Sequence, residues 1–158
     1  SSGKVDANGN VELTFVHASD YVVVLGGAND KRLDVPIGEN GDTDPHTFKG
    51  ALNTLISGLS AKYPKAKFLF LTNYNRWPGK NALGISDLAY VDAMLEVCAK
   101  YAIPCFDNYR GSGISFQNPA QLAWMDEGLT LGLPENHHFS DEAYDWLLPK
   151  YAMLLAGL

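Results

Sequence analysis

Three short apolar segments, each followed by an amphipathic helix, limit most strongly what this chain can fold into. The first segment, residues 21–25, reads Tyr-Val-Val-Val-Leu and ends at two glycines; the others occupy residues 67–72 and 103–106. A short, continuous, β-branched run is typical of a strand that is buried on both faces. Strands that alternate with helices form a parallel sheet with right-handed crossovers. The pattern therefore predicts an α/β fold with a parallel sheet.

The three helices are predicted from their capping residues and apolar stripes. Asp44 and Pro45 are expected to begin the first helix, because Asp is a good N-cap and Pro suits the first helical position. Ser86 and Ser140 are expected to cap the second and third helices. Pro149 falls inside the third stripe and is expected to kink that helix. The stripes expected to face the core are Phe48, Ala51, Leu52, Leu55, Ile56 and Leu59; Leu88, Val91, Met94, Leu95 and Cys98; and Ala143, Tyr144, Leu147, Leu148, Tyr151, Leu154 and Leu155.

The first 19 residues stand apart from the α/β pattern. Residues 4–15 are predicted to form a β-hairpin, because Asn8-Gly9 suits a tight turn that needs two positive φ angles. Val11 and Leu13 alternate with polar residues, which is the period of a half-buried strand. We therefore divide the chain into a hairpin, or the remnant of a β-domain, at residues 1–19 and an α/β domain at residues 20–158.

Composition and charge exclude several functional classes. The 158 residues are 46% hydrophobic and 19% charged, which is typical of a globular chain. Nucleic acid is not an expected partner, because the net charge is −6 and phosphate binding needs clustered Lys and Arg. No apolar stretch is long enough to span a membrane, and residues 1–10 show no signal peptide. Cys98 and Cys105 are expected to be small buried side chains, and a disulfide between them is the alternative.

The loop after the first strand carries the first candidate site. Chemistry in such a sheet gathers in the loops after the carboxyl ends of the strands. This loop, expected to be long and to cover residues 29–43, is preceded by Gly26, Gly27 and Ala28. The glycines let the backbone bend tightly, and the amide of Asn29 could stabilise a developing oxyanion. The alternative is an Asx turn that only carries the chain away from the strand.

A second polar cluster comes directly before the last helix. Glu135 stands three residues before His138. A carboxylate at this spacing can accept a hydrogen bond from one imidazole nitrogen, which leaves the other nitrogen as a general base. The alternative is that His137 and His138 are two exposed histidines without a role. His17, His46 and this adjacent pair are too scattered to ligate one ion, so we expect no metal and no cofactor.

Together the two clusters resemble motifs of the SGNH or GDSL hydrolases. Residues 21–30 resemble the family's Gly-x-Asn-Asp block, and residues 138–144 resemble the block in which the catalytic His precedes the final helix. The likeness covers roughly residues 20–158. It implies a flavodoxin-like three-layer α/β/α sandwich and serine ester hydrolysis without a metal. It further implies an oxyanion hole at Gly27 and Asn29, a general base at His138 and its acid at Glu135.

The sequence departs from the family where the nucleophile should be. The family's Gly-Asp-Ser block is absent, and Ser1, Ser2 and Ser19 lack the strand-to-helix context that activates a nucleophile. The resemblance therefore implies that the first strands are missing or are supplied by an upstream segment or a companion chain, or that the chain is inactive. The missing strands would leave an open sheet edge. The family's usual acid is Asp rather than Glu135, which makes Asp126 the alternative acid.

The substrate and location are predicted from a resemblance to one group of proteins within this family. Residues 35–38, 47–52, 63–64 and 103–107 resemble members in phage tail and prophage proteins. That likeness implies an extracellular or virion location and a homotrimer. We expect an esterase that acts on a surface polysaccharide or small acyl ester, with Tyr74, Trp77 and Tyr109 binding the substrate. The alternatives are a glycan-binding pseudo-hydrolase and a different doubly wound domain, although a nucleotide binder would need a Gly-rich phosphate loop that is absent.

Overall fold

The computed structural model describes residues 2–5, 11–14, 20–76, 78–124 and 138–158 of the chain. The chain begins with two short strands, β1 (Ser2–Val5) and β2 (Val11–Thr14). They pair antiparallel, with Val5 opposite Val11. This pairing is the one that the predicted hairpin requires. The predicted turn at Asn8-Gly9 lies outside the described residues.

A three-stranded parallel sheet forms the centre of the α/β region. Its strands are β3 (Tyr21–Leu25), β4 (Lys67–Leu71) and β5 (Cys105–Phe106), and they pair in that order. Val23 lies opposite Leu69, and Leu71 lies opposite Phe106. The predicted α/β fold with a parallel sheet is confirmed, and it is consistent with a flavodoxin-like sandwich. β5 is shorter than the predicted segment at 103–106.

Helices connect the strands of the sheet, and a last helix follows β5 at the end of the chain. They are α1 (Ala28–Arg32), α2 (Phe48–Lys62), α3 (Asp87–Lys100), α4 (Asn108–Gly111), a 3₁₀-helix (Pro119–Trp124) and α5 (Asp141–Ala156). Ser86 and Ser140 cap α3 and α5 as predicted, because their side chains accept from the backbone N–H of Ala89 and Ala143. α5 continues through Pro149, and the kink there stays a prediction. No described helix is both long enough and apolar enough to cross a membrane.

The predicted start of α2 at Asp44 and Pro45 is wrong. The N-cap is Thr47, whose hydroxyl accepts from the backbone N–H of Gly50 at 3.1 Å. The Asp44 carboxylate instead accepts from the N–H of His46 within the preceding turn. The reason is tertiary, because the first free N–H groups of α2 donate to the carbonyls of residues 36 and 37. Local propensity at Asp44 could not show this.

The expected long loop at residues 29–43 is also corrected, because its first part is helical. α1 makes one turn directly after Gly27, whose φ of 96° is a left-handed conformation that favours glycine. The backbone N–H of Leu33 donates to the carbonyl of Asn29 at 2.9 Å and closes that turn. Asn29 therefore stands on a short helix rather than in an extended loop.

Two apolar clusters form the core. The first lies among α2, α3 and the sheet, and its members are Phe48, Leu52, Ile56, Phe70, Tyr90, Ala93, Met94, Val97 and Cys98. The second packs the start of α5 against the segments that follow β4 and α4, and its members are Tyr74, Ile114, Phe116, Phe139, Ala143 and Leu147. Cys98 is buried and Cys105 partly buried, and both are free thiols, so the alternative of a disulfide is not seen.

One face of β3 is exposed, although the sequence predicted a strand buried on both faces. Tyr21, Val23 and Leu25 are 49%, 47% and 51% exposed. β3 is the edge strand of the sheet, and no described strand pairs with its outer side. Tyr144 and Leu148 of α5, which were expected to face the core, are also exposed, as is Leu55 of α2. We call Tyr21, Val23 and Leu25 the β3 face.

Candidate functional site

A cavity of about 430 Å³ opens at the carboxyl ends of β3 and β4. Its walls come from the segment after β3, the segment after β4 and the residues around the start of α5. This is the position in which an open α/β sheet places its ligands, because the loops there diverge and leave a crevice. Of the residues that the sequence singled out, Gly27, Asn29, Tyr74 and His138 line this cavity.

Asn29 lines the cavity, and one of the two polar atoms of its amide is hydrogen-bonded within the chain. Its side-chain oxygen accepts from Nε of Arg32 at 3.4 Å. Among the described residues its side-chain nitrogen has no hydrogen-bond partner, and Asn29 is exposed. The bond to Arg32 orients the amide, and the NH₂ group stays available as a donor to a ligand in the cavity. Gly27 sets this geometry, because its left-handed φ turns the chain from β3 into α1.

His138 is held at the cavity by the residues that follow it. Phe139 is buried, and its ring packs edge-on against Tyr74 with centroids 4.5 Å apart. The backbone N–H of Ser140 donates to the carbonyl of Trp124 at 2.8 Å, and its hydroxyl caps α5. His138 itself is exposed. The imidazole therefore projects from a backbone that is fixed on one side and can meet a substrate from solvent.

The remaining predicted site residues divide into three groups. Tyr74 lines the cavity but is buried, so it forms part of the floor rather than a stacking platform. Tyr109 is not among the residues that line this cavity, and its backbone N–H donates to the Thr72 hydroxyl at 3.5 Å. Glu135, Asp126 and Trp77 lie outside the described residues, so their roles stay predictions.

A buried carboxylate joins two walls of the cavity. Asp87, at the start of α3, accepts from Nζ of Lys31 at 2.9 Å and from the amide of Asn73 at 3.4 Å. Lys31 belongs to α1, and Asn73 follows β4. The Asp87 side chain is only 6% exposed. It therefore fixes the segment that carries Asn29 relative to the segment that carries Asn73.

Several residues that the sequence did not single out as site residues also line the cavity: Arg32, Asn73, Arg76, Phe116 and Tyr144. The signal that could have found Asn73 and Arg76 is their position just after β4, at the same sheet edge as Asn29. Tyr144 was placed in the core by its helical spacing. It is instead 48% exposed beside the cavity.

Burial perturbs two charged groups of the cavity. Burial raises the pKa of the Asp30 carboxyl, although a backbone hydrogen bond opposes this shift. Burial lowers the pKa of the Arg76 guanidinium, with a further decrease from Arg32 and an opposing increase from Asp87. An arginine so perturbed still carries its charge at neutral pH. Among the described residues, no three His, Cys, Asp or Glu side chains cluster closely enough to hold a metal ion.

Comparison with known proteins identifies the fold. No protein-family model matches the chain, and no curated protein is significantly similar to it. One crystal structure shares 36% identity with a TM-score of 0.79, over 89% of this chain and 66% of that one. A protein from Lactobacillus plantarum shares 29% identity with a TM-score of 0.75, over 87% of this chain and 67% of its own.

Two further crystal structures are those of candidate lipases. One from Chitinophaga pinensis is 21% identical with a TM-score of 0.59, over 65% of this chain and 48% of its own. A candidate GDSL-like lipase from Bacteroides ovatus is 17% identical with a TM-score of 0.57, over 88% of this chain and 55% of its own. At these identities the likeness establishes a shared fold. The chain spans about half the length of these two proteins and 66–67% of the two above.

Proposed function

We propose that this chain is part of a GDSL-type carboxylic ester hydrolase, in which it supplies the oxyanion donor Asn29 and the general base His138. One observation carries the proposal: these two residues, from the first and last parts of the α/β region, line a single cavity at the carboxyl edge of a parallel sheet. The fold shared with a candidate lipase and a candidate GDSL-like lipase supports it. The nucleophilic serine comes from outside this chain.

The reaction assigns one step to each group. The serine oxygen attacks the acyl carbon while the His138 imidazole accepts the hydroxyl proton. The carbonyl oxygen becomes an oxyanion, which accepts hydrogen bonds from the Asn29 amide and from the Gly27 backbone N–H. Collapse of this intermediate expels the alcohol, which takes the proton from imidazolium, and water then hydrolyses the acyl-enzyme. Glu135 holds the imidazole, with Asp126 as the alternative acid.

The unpaired outer edge of β3 supports a nucleophile supplied by an added strand. The outer edge of β3 pairs with no described strand, and one side of β3 is half exposed. A strand that joined this edge in parallel would end beside Gly26, at the rim of the cavity. The residue after that strand could then reach Asn29 and His138. An upstream segment or a companion chain would carry it, since the chain spans only part of each of the four structures compared above.

The substrate class that fits best is an O-acylated carbohydrate. The Asn29 amide supplies a polar donor at the cavity, and the exposed ring of Tyr144 stands at its rim. Aromatic faces and amide donors are the groups that bind sugar rings. An acetylated surface polysaccharide would place the protein outside the cell or on a virion. A phage-tail role would make it a homotrimer.

A glycan-binding pseudo-hydrolase is the second candidate. Its specific support is that none of the described residues that line the cavity is Ser or Cys. Such a module would hold the same sugar through the same donors without forming an acyl intermediate. The two candidates therefore differ in covalent chemistry and not in binding.

Labelling with a fluorophosphonate probe separates these candidates. The full-length polypeptide, with any companion chain retained, is treated with the probe, and the adduct is located by peptide mapping. We expect one labelled serine and loss of labelling in His138→Ala, whereas His46→Ala, a matched change at an exposed histidine, keeps it. Asn29→Ala should lower kcat by on the order of 10²–10³, the typical effect of removing one oxyanion donor. A folded, complete protein that forms no adduct would establish the pseudo-hydrolase.

A further inference from the structure

Two of the chain's three arginines line the cavity that holds Asn29 and His138. They are Arg32, at the end of α1, and Arg76, in the segment after β4. The third, Arg110, forms ion pairs at the surface. In a chain of net charge −6, this placement concentrates scarce guanidinium groups at the candidate site.

The Arg76 guanidinium has no counter-ion among the described residues. It is partly buried, and none of the described carboxylates lies within salt-bridge distance of it. Its hydrogen bond from Nη1 to the Ala28 carbonyl is long at 3.4 Å. The negative charge of Asp87 raises the pKa of Arg76, but the Asp87 carboxylate already accepts hydrogen bonds from Lys31 and Asn73. Because a partly buried charge without a partner is unfavourable, the site is suited to a ligand that brings the anion.

Arg32 adds a second positive charge beside the proposed oxyanion donor. Its Nε donates to Asn29, which leaves the two terminal nitrogens of the guanidinium for a ligand. Asp30 is the one carboxylate among the described lining residues. Among the described residues that line the cavity, two guanidiniums therefore outnumber one carboxylate, and burial raises the pKa of that carboxyl. A planar guanidinium binds carboxylate or phosphate oxygens in pairs.

We propose that the cavity selects an ester substrate that carries an anionic group, a carboxylate or a phosphate, bound by Arg76 with Arg32 beside it. The inference rests on the proposed esterase function and narrows its substrate to acidic carbohydrates. Arg76 and Arg32 determine specificity. They bind the part of the substrate that does not react, while Asn29 and His138 act on the ester.

Binding is tested first, because it does not depend on catalysis. Calorimetry on the full-length protein compares glucuronate, glucose 6-phosphate and glucose at low salt. We expect at least one of the two anions to bind about tenfold to a hundredfold more tightly than glucose, the effect of charge-assisted hydrogen bonds. The preferred anion identifies the source of the charge. R76Q should remove the preference, R76K should keep part of it, and the matched surface change R110Q should leave it intact.

Hydrolysis then separates failure of this inference from failure of the proposed function. The substrates are acetylated methyl glucuronoside, acetylated methyl glucoside and its 6-phosphate. In R76Q, KM for the preferred anionic ester should rise about tenfold or more with kcat retained, because the contact is made equally in the ground and transition states. Anion-selective binding without hydrolysis of any ester supports this inference and contradicts the proposed esterase function. Equal binding of all three sugars overturns this inference, even if every ester is hydrolysed. If R76Q does not fold, R32Q and R76K are tested instead, and a weaker preference for the anionic sugar over glucose supports the inference.

Discussion

The hydroxyl oxygens of Tyr74 and Tyr151 lie 2.6 Å apart, which ties the segment after β4 to α5. The Tyr151 hydroxyl donates to the side-chain oxygen of Asn108 at 3.0 Å, so it accepts from Tyr74. The Asn108 amide in turn donates to the carbonyl of Thr72 at 2.9 Å. This chain of hydrogen bonds joins three separate segments beneath the cavity. It keeps the floor of the site in place while His138 stays exposed above it.

Removing the Tyr151 hydroxyl should therefore destabilise the fold. Tyr151→Phe breaks two hydrogen bonds and leaves the oxygen of the fully buried Asn108 without that donor. We expect the free energy of unfolding to fall by about 1–3 kcal/mol, measured by urea denaturation. Tyr109→Phe is the matched control, because no hydrogen bond of the Tyr109 hydroxyl is found among the described residues. Equal losses in the two variants would show that the chain of hydrogen bonds contributes nothing.

Gly27→Ala should test whether the backbone turn positions Asn29. A Cβ atom at Gly27 would lie 3.5 Å from Phe48, which is an ordinary contact, so the cost comes from the left-handed φ of 96°. We expect a loss of about 1–2 kcal/mol in stability and a fall in kcat through Asn29. Gly58→Ala, within α2 with open space around the new Cβ, should instead stabilise by about 0.5–1 kcal/mol. A stable, fully active Gly27→Ala would contradict this assignment.

The ion pair at Asp87 should stabilise the fold more than a similar ion pair nearer the surface does. Asp87→Asn removes the charge opposite Lys31 at a side chain only 6% exposed. We expect the free energy of unfolding to fall by about 3 kcal/mol, since removing one partner of a buried ion pair costs more than removing one partner of an exposed pair. Glu96→Gln is the control, because Glu96 pairs with Lys49 but is 50% exposed, and its loss should be about 1 kcal/mol or less. The reverse order of the two losses would refute the proposed role of Asp87.

The sequence predicted the strands well because their signal is local. The apolar runs at β3 and β4 and the serine caps at residues 86 and 140 each depend on a few neighbouring residues. The start of α2 could not be predicted from Asp44 and Pro45, since carbonyls at residues 36 and 37 decide it. The exposure of the β3 face could not be predicted either, for a similar reason. The apolar pattern of β3 shows that its faces suit burial, but it does not show which element covers them.

The site was only partly predictable for the same physical reason. Asn29 and His138 were found because each belongs to a recognisable local motif. Arg76 belongs to none, and it becomes a site residue only because β4 ends beside β3 and brings two segments together. The pairing of Arg32 and Arg76 at one cavity of a chain with net charge −6 is thus a property of the fold and not of the composition.

Asp30→Asn should change stability in a way that depends on pH. Burial raises the pKa of Asp30 above its ordinary value of 3.8, so the folded protein binds this proton more tightly than the unfolded chain does. Stability from this group therefore falls as the pH rises from 3.8 through the folded pKa, and it stays lower above that window. The variant lacks this loss, so its melting temperature should exceed that of the wild type at pH 7 and match it below pH 3.8. Asp92→Asn, at an exposed carboxylate outside the cavity, serves as the control. A pH-independent difference would show that the carboxylate's burial is not its cause.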